Sequence, residues 1–262
     1  FLESNSLVAK FAFLLLVIFV FIILLQVALF FLNLLLSPSN NPHLIDGMVP
    51  GNQMMVLPQD PSKKNAKTIY RSANAPDGLE FTWSIWLFIN DLGNENPRYK
   101  HIFHKGNDST ADNGLNFPNN SPGLYLSPNT NELTLIMNTF NVINEEIIID
   151  DVPINKWVNV IIRCSNVDLD VYINGTIARS MKLSGVPKQN YGDVFVGMNG
   201  GFNGYVSNLG YYNYALGTAE IQRLVRRRPN TNMFGSSSMN MKNPDYLSLR
   251  WYFFGNEDMY NP

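Results

Sequence analysis

The chain has 262 residues, 45% of them hydrophobic and 15% charged, with 19 Lys and Arg against 21 Asp and Glu for a formal net charge of -2. That balance excludes global disorder, and it excludes nucleic acid as a partner gripped by the whole surface, because phosphate binding needs a marked cationic excess. The one cysteine, Cys164, excludes an intrachain disulfide and a four-cysteine zinc site.

Residues 11–36 carry no charge and only two polar side chains, Gln26 and Asn33. As a helix this run would span about 39 Å, more than the hydrocarbon core of a bilayer, so it is expected to be a single transmembrane anchor. Its apolar surface would be formed by residues such as Phe11, Leu16, Phe21, Leu25, Phe30 and Leu36. A cleaved secretory signal has a shorter apolar region, of about 7 to 15 residues. Gln26 and Asn33 stand seven apart and share a helical face, where each can bond to another helix. Residues 1–10 form a short flank starting at Phe1, which implies further residues before it. Charge leaves the orientation open, with Lys10 on one side and Lys63, Lys64, Lys67 and Arg71 well beyond the other.

Residues 37–65 are dense in Pro, Asn and Gly and are expected to form a stalk, with Met54 and Met55 as contact points on a partner or on the domain itself. From residue 66 the pattern turns to period two. In the run 80–89, Phe81, Trp83, Ile85, Leu87 and Ile89 share one face, and a strand with one fully apolar face packs on a core. Similar runs follow at 99–105, 123–127, 132–138, 145–150, 157–164, 168–174, 176–183, 193–198 and 204–213. Asn174-Gly175 marks a tight hairpin. No alternation of strands with helices appears, so an antiparallel sandwich is expected. One helix is predicted at 218–228, capped by Thr218, with Ile221, Leu224 and Val225 as its apolar stripe and Arg226 to Arg228 at its negative end.

The succession FTWSIWLFIN, HIFHKG, ELTLIMN, NKWVNVIIRCSNVDLDVYINGTIARS and NGYVSNLGYYNYALGTAEIQRL resembles laminin G-like, concanavalin A-like jelly-roll domains over about 66–226. The resemblance implies an all-β, antiparallel β-sandwich with one short helix, over residues 66–228. It also implies that Trp157 fills the space between the sheets, that Gly175 takes a left-handed turn and that the closing helix caps an open end. It fixes no function, because this sandwich serves lectins, adhesion modules, glycanases and structural proteins.

Little points to catalysis. Asp168 and Asp170 alternate on one strand as in glycan-cleaving members of this superfamily, but Tyr172 holds the next position and no Glu completes the pattern. His101 and His104, three apart on a strand, are expected to face opposite sides and so cannot grip one metal. Cys164 reads as a small core residue. The loop 106–122 is the best candidate for ligand contact: Asp108, Asp112, Asn113 and Asn116 supply oxygens of the kind that calcium takes, and calcium is a frequent partner of the resembled family. Their spacing fits no closed calcium loop, and no cofactor is called for. Asn107, Asn119 and Asn174 begin N-x-Ser/Thr sequons.

The tail 229–262 carries Tyr246, Trp251, Tyr252, Phe253 and Phe254, too apolar to be left in water and therefore expected to pack on the domain or on a partner. The layout of anchor, Asn-rich sandwich and aromatic tail resembles membrane-anchored virion proteins of large DNA viruses. It implies a non-enzymatic minor capsid protein linking the internal membrane to the capsid shell through protein contacts. The alternative is a membrane-tethered lectin that binds glycan.

Overall fold

A computed structural model describes residues 7–36, 39–72, 74–75, 78–93 and 97–234. The chain divides into two compact units, Phe1–Ser39 and Asn40–Pro262. The first holds one helix, α1 (Leu7–Leu36), of which Leu7–Asn33 is long and apolar enough to cross a membrane. Phe11, Leu16, Phe21, Leu25 and Phe30 are exposed around it.

The second unit is a sandwich of two antiparallel sheets. The first runs β1 (His43–Pro50), β13 (Gly204–Tyr212), β4 (Gly78–Ile89), β9 (Trp157–Ser165), β10 (Asp168–Ile173) and β11 (Thr176–Lys182), with β3 (Asn74–Ala75) beside β4. The second runs β2 (Met55–Leu57), β12 (Asp193–Val196), β5 (Lys100–Gly106), β6 (Gly123–Leu126), β7 (Leu133–Met137) and β8 (Glu145–Ile149). All ten runs read from the sequence are strands. The core lies between the sheets, as alternation requires. Phe81, Trp83, Ile85, Leu87 and Ile89 of β4 meet Phe103, Leu124, Leu135, Val194 and Val196 of the other layer. At its centre Trp83 packs its ring against Phe103 at 5.5 Å and Tyr211 at 5.1 Å between centroids.

Several expectations need correction. Residues 37–65 are not a stalk through their length, because β1 pairs with β13 and β2 with β12, each as an edge strand. The period-two signal is absent from β1 because two register shifts interrupt it, and Pro50 is tolerated at its end. Residues 232–234 then cover the outer edge of β1: Met48 N–H donates to Asn232 O at 2.7 Å and Phe234 N–H to Met48 O at 2.8 Å. Gly47, at φ +126°, makes room for them, since a Cβ there would lie 2.9 Å from Asn232 O. Met55 packs against the domain's own core, whereas Met54 is exposed.

Trp157 does not lie between the sheets. It precedes Val158 in register, so it sits on the outer face, edge-on to Phe88 at 5.4 Å, and Trp83 fills the interior instead. The closing helix, α2 (Thr218–Arg226), lies over the outer face of the first sheet, burying Ile221 against Ile161 and Leu216. Its N-cap is Gly217 rather than Thr218, and the Glu220 carboxylate takes the Gly217 N–H at 3.0 Å. Gly175 takes the left-handed turn as expected, with Asn174 before it also at positive φ. Among the described residues, six of the eight non-glycine residues at positive φ are asparagines, the residue type that best tolerates that conformation after glycine.

Candidate functional site

The loop 106–122 folds down onto the outer face of the second sheet. Leu115 seals it there against Tyr125 and Ile136, and the Asn116 N–H donates to the Tyr125 hydroxyl at 3.1 Å. Asn116 is therefore inside the loop, 1% exposed, with its amide donating to Asn119 O at 2.6 Å and its carbonyl accepting from Ser109 N–H at 3.2 Å. Its expected place on a ligand rim is corrected on that ground. The Asn113 side-chain oxygen already accepts from Leu115 N–H at 3.1 Å. Asp108 and Asp112 remain exposed, and among the described residues no group of three or more His, Cys, Asp or Glu converges. Two separate carboxylates with the neighbouring amides committed do not fit a calcium site. The Asn107 side chain is likewise used inside the loop, donating to Phe117 O at 3.1 Å.

His101 and His104 face the same side, contrary to strand spacing. A β-bulge between His101 and Phe103 turns both Ile102 and Phe103 toward the core and carries the two imidazoles together onto the outer face. The Met198 N–H donates to His101 Nδ1 at 3.0 Å, so His101 Nε2 carries the proton and donates to His104 Nδ1 at 2.6 Å. His104 Nε2–H in turn donates to Asn107 O at 3.0 Å. Backbone groups at both ends fix both tautomers. Burial holds His101 well below the ordinary histidine range and His104 down at about 4. Two neutral rings locked in a chain of hydrogen bonds brace the loop at Asn107.

Asp170 accepts from Arg163 Nη1 at 2.9 Å and from Ser180 Oγ at 2.7 Å, which commits both of its oxygens to neighbouring strands. Cys164 is wholly buried, and burial pushes its thiol up to about 12. Tyr246, Trp251, Tyr252, Phe253 and Phe254 lie outside the described residues.

The feature that sequence reading missed is a cleft of about 220 Å³ that opens between the two sheets. Phe81, Trp83 and Tyr211, from the inward faces of β4 and β13, form its floor, while Tyr70 and Tyr191 stand at its walls. Tyr191 is 89% exposed. Lys105 also borders the cleft, and its ammonium is spoken for, donating to Asn190 O at 2.8 Å and Gly192 O at 2.7 Å. Burial draws that amine down to about 8. Arg71 lines the cleft and has no ion pair or hydrogen bond among the described residues. Gln189 donates to Ser72 Oγ at 2.6 Å, and its Oε1 is buried without a partner. These residues come from five separate stretches of chain, so no spacing could announce them.

The model of the concanavalin A-like lectin/glucanases superfamily matches residues 62–222. Among solved structures, the receptor binding domain of botulinum neurotoxin D is 14% identical, covering 72% of this chain and 44% of its own, with a TM-score of 0.49. The botulinum neurotoxin serotype G binding domain is 15% identical, covering 69% and 46%, with a TM-score of 0.48. This chain therefore spans less than half the length of either. No curated protein matches it.

Proposed function

Given that the chain belongs to the concanavalin A-like lectin/glucanases superfamily, we propose that it is a membrane-anchored structural protein that works by binding and carries out no turnover. The observation that carries this reading is a span apolar on every side followed, after residues 37–42 alone, by the first strand of a binding-type sandwich. A helix apolar on every side needs an apolar surrounding such as lipid, and the Leu7–Asn33 span of 27 residues is longer than the apolar region of a signal sequence. Of the two acidic strand positions weighed for glycan cleavage, Asp170 is tied into the sheet by Arg163 and Ser180.

The partner is a protein. Phe140 is 71% exposed, with exposed Val142 and Ile143 close in sequence and exposed Val186 brought near by the Phe140 N–H donating to Val186 O at 3.1 Å. Contiguous apolar surface of this kind marks a contact site. With the layout's resemblance to virion membrane proteins, the reading names the capsid shell of a large DNA virus particle as that partner and the internal membrane as the anchor's bilayer. Phe140→Asp tests it: the variant folds and stays in the membrane but is lost from assembled particles. Undiminished incorporation would contradict the reading.

A second reading, glycan binding, is favoured by one observation: the aromatic cleft, which the exposed Tyr70 and Tyr191 both line. Retention of the full chain on a glycan surface, abolished by Tyr191→Ala, would support it.

A further inference from the structure

We propose that the recess between α2 and the outer face of the first sheet binds the phosphate of an anionic lipid in the bilayer that holds α1. The inference rests on the membrane-anchor reading above and adds to it a contact at the level of the headgroups.

The recess has a volume of about 220 Å³, and its charged or titratable lining is His43 and Asp46 of β1 with Arg227 and Arg228 just past the end of α2. All four residues are exposed, so a ligand reaches them from solvent. Neither arginine has a carboxylate partner: the ion pairs among the described residues are Lys63 with Asp193 and Arg163 with Asp170. The negative end of a helix accounts for Arg223 and Arg226, which stand in the last turn of α2. It does not account for two more cations beyond that turn, both on the rim of one recess.

The chain that carries them is fixed in place. Arg228, at φ +60°, turns the backbone out of the helix, and its carbonyl accepts from Asn208 Nδ2 at 3.3 Å. Two residues on, Asn230 O accepts from Ser207 Oγ at 2.7 Å. Asn230 Nδ2 donates to Asp46 Oδ1 at 3.2 Å, so the one carboxylate among the lining residues is already engaged, and the charge of Lys67 acts on it as well. A cationic surplus on a fixed base remains. Guanidinium forks of this kind pair well with phosphate oxygens.

The length of the connecting chain selects lipid as the source. Leu36 ends α1 and His43 opens β1, and the seven steps between them reach at most about 25 Å. A span held in lipid therefore keeps the rim of the recess within that distance of its own end, which gives headgroup phosphates a high effective concentration there. An anionic leaflet also attracts clustered arginines close to its surface.

The test uses the full chain in nanodiscs of phosphatidylcholine, with and without phosphatidylglycerol, and reads the labelling of each arginine by phenylglyoxal. Phosphatidylglycerol should slow labelling of Arg227 and Arg228 about tenfold and leave Arg179, on the opposite edge strand β11, unchanged. In native mass spectrometry the chain should retain phosphatidylglycerol in preference to phosphatidylcholine. Arg227→Gln with Arg228→Gln should abolish that preference, whereas Arg179→Gln with Lys182→Gln, which removes the same charge elsewhere, should keep it. Equal labelling in both lipids, protection that extends to Arg179, or loss of the preference in both double variants overturns the proposal. Equal protection by inorganic phosphate over phosphatidylcholine alone would assign the recess to a free anion and overturn it too. Release of the chain by alkaline extraction would refute the anchor reading, whereas retention in the bilayer without protection refutes this assignment alone.

Discussion

His101 Nε2 donates to His104 Nδ1 across 2.6 Å, and both rings are neutral because backbone groups fix the outer nitrogen of each. Protonating either ring in place breaks this chain. His104 titrates at about 4 in the folded protein, against about 6.5 when unfolded, with burial as the main cause and the hydrogen bond to Asn107 O, then the charge of Asp108, opposing it. At neutral pH both states bind the same number of protons, so no penalty exists. As pH falls from 6.5 toward 4 the unfolded state gains the proton first, and stability drops by about 3 kcal/mol from His104 alone. His101 adds to the loss in the same direction. Urea titrations at pH 7 and pH 4.5 should show this drop, and His104→Gln should reduce its slope. An equal slope in that variant would show that carboxylates, not the imidazoles, set the acid limit.

Gly47→Ala should destabilise the domain by about 1–3 kcal/mol, since it combines a φ of +126° with a Cβ pressed against the backbone of residues 232–234. The urea midpoint reads this directly. A variant as stable as the parent would mean that residues 43–50 are the stalk their composition suggests.

Cys164 should resist thiol reagents in the native state and react fully on unfolding. It is wholly buried and its thiol is pushed up to about 12, so almost no thiolate exists at neutral pH. Reaction of the folded protein within minutes would contradict the burial.

Asp170→Asn should cost on the order of 1 kcal/mol by removing its ion pair with Arg163. It should have no catalytic phenotype, because the proposed role involves no turnover. Glycan hydrolysis that depends on this carboxylate would revive the glycanase alternative.

The sandwich was legible wherever one face of a strand is buried and the pleat is regular, as in Phe81 to Ile89. It was hidden where bulges break the alternation. Register shifts erased β1 from the pattern and reversed the expected sides of His101 and His104. The apolar span of α1 could be read from composition alone. The cleft could not, because Tyr70, Lys105, Gln189 and Tyr211 meet only through strand order. Trp157 misled for a related reason: an aromatic at the start of a strand says nothing about which face it takes until the register is known.

Crosslinking mass spectrometry on intact particles or membranes containing this chain tests the central claim most directly. Lys188 is the natural reporter, since its ammonium lies over the Phe140 ring at 5.5 Å and therefore marks the apolar patch. A membrane-anchored protein that works by protein contact should yield crosslinks from Lys188 to a shell protein, from chains that resist alkaline extraction from the bilayer. Crosslinks confined to the chain itself, or release of the chain by that extraction, would contradict the account.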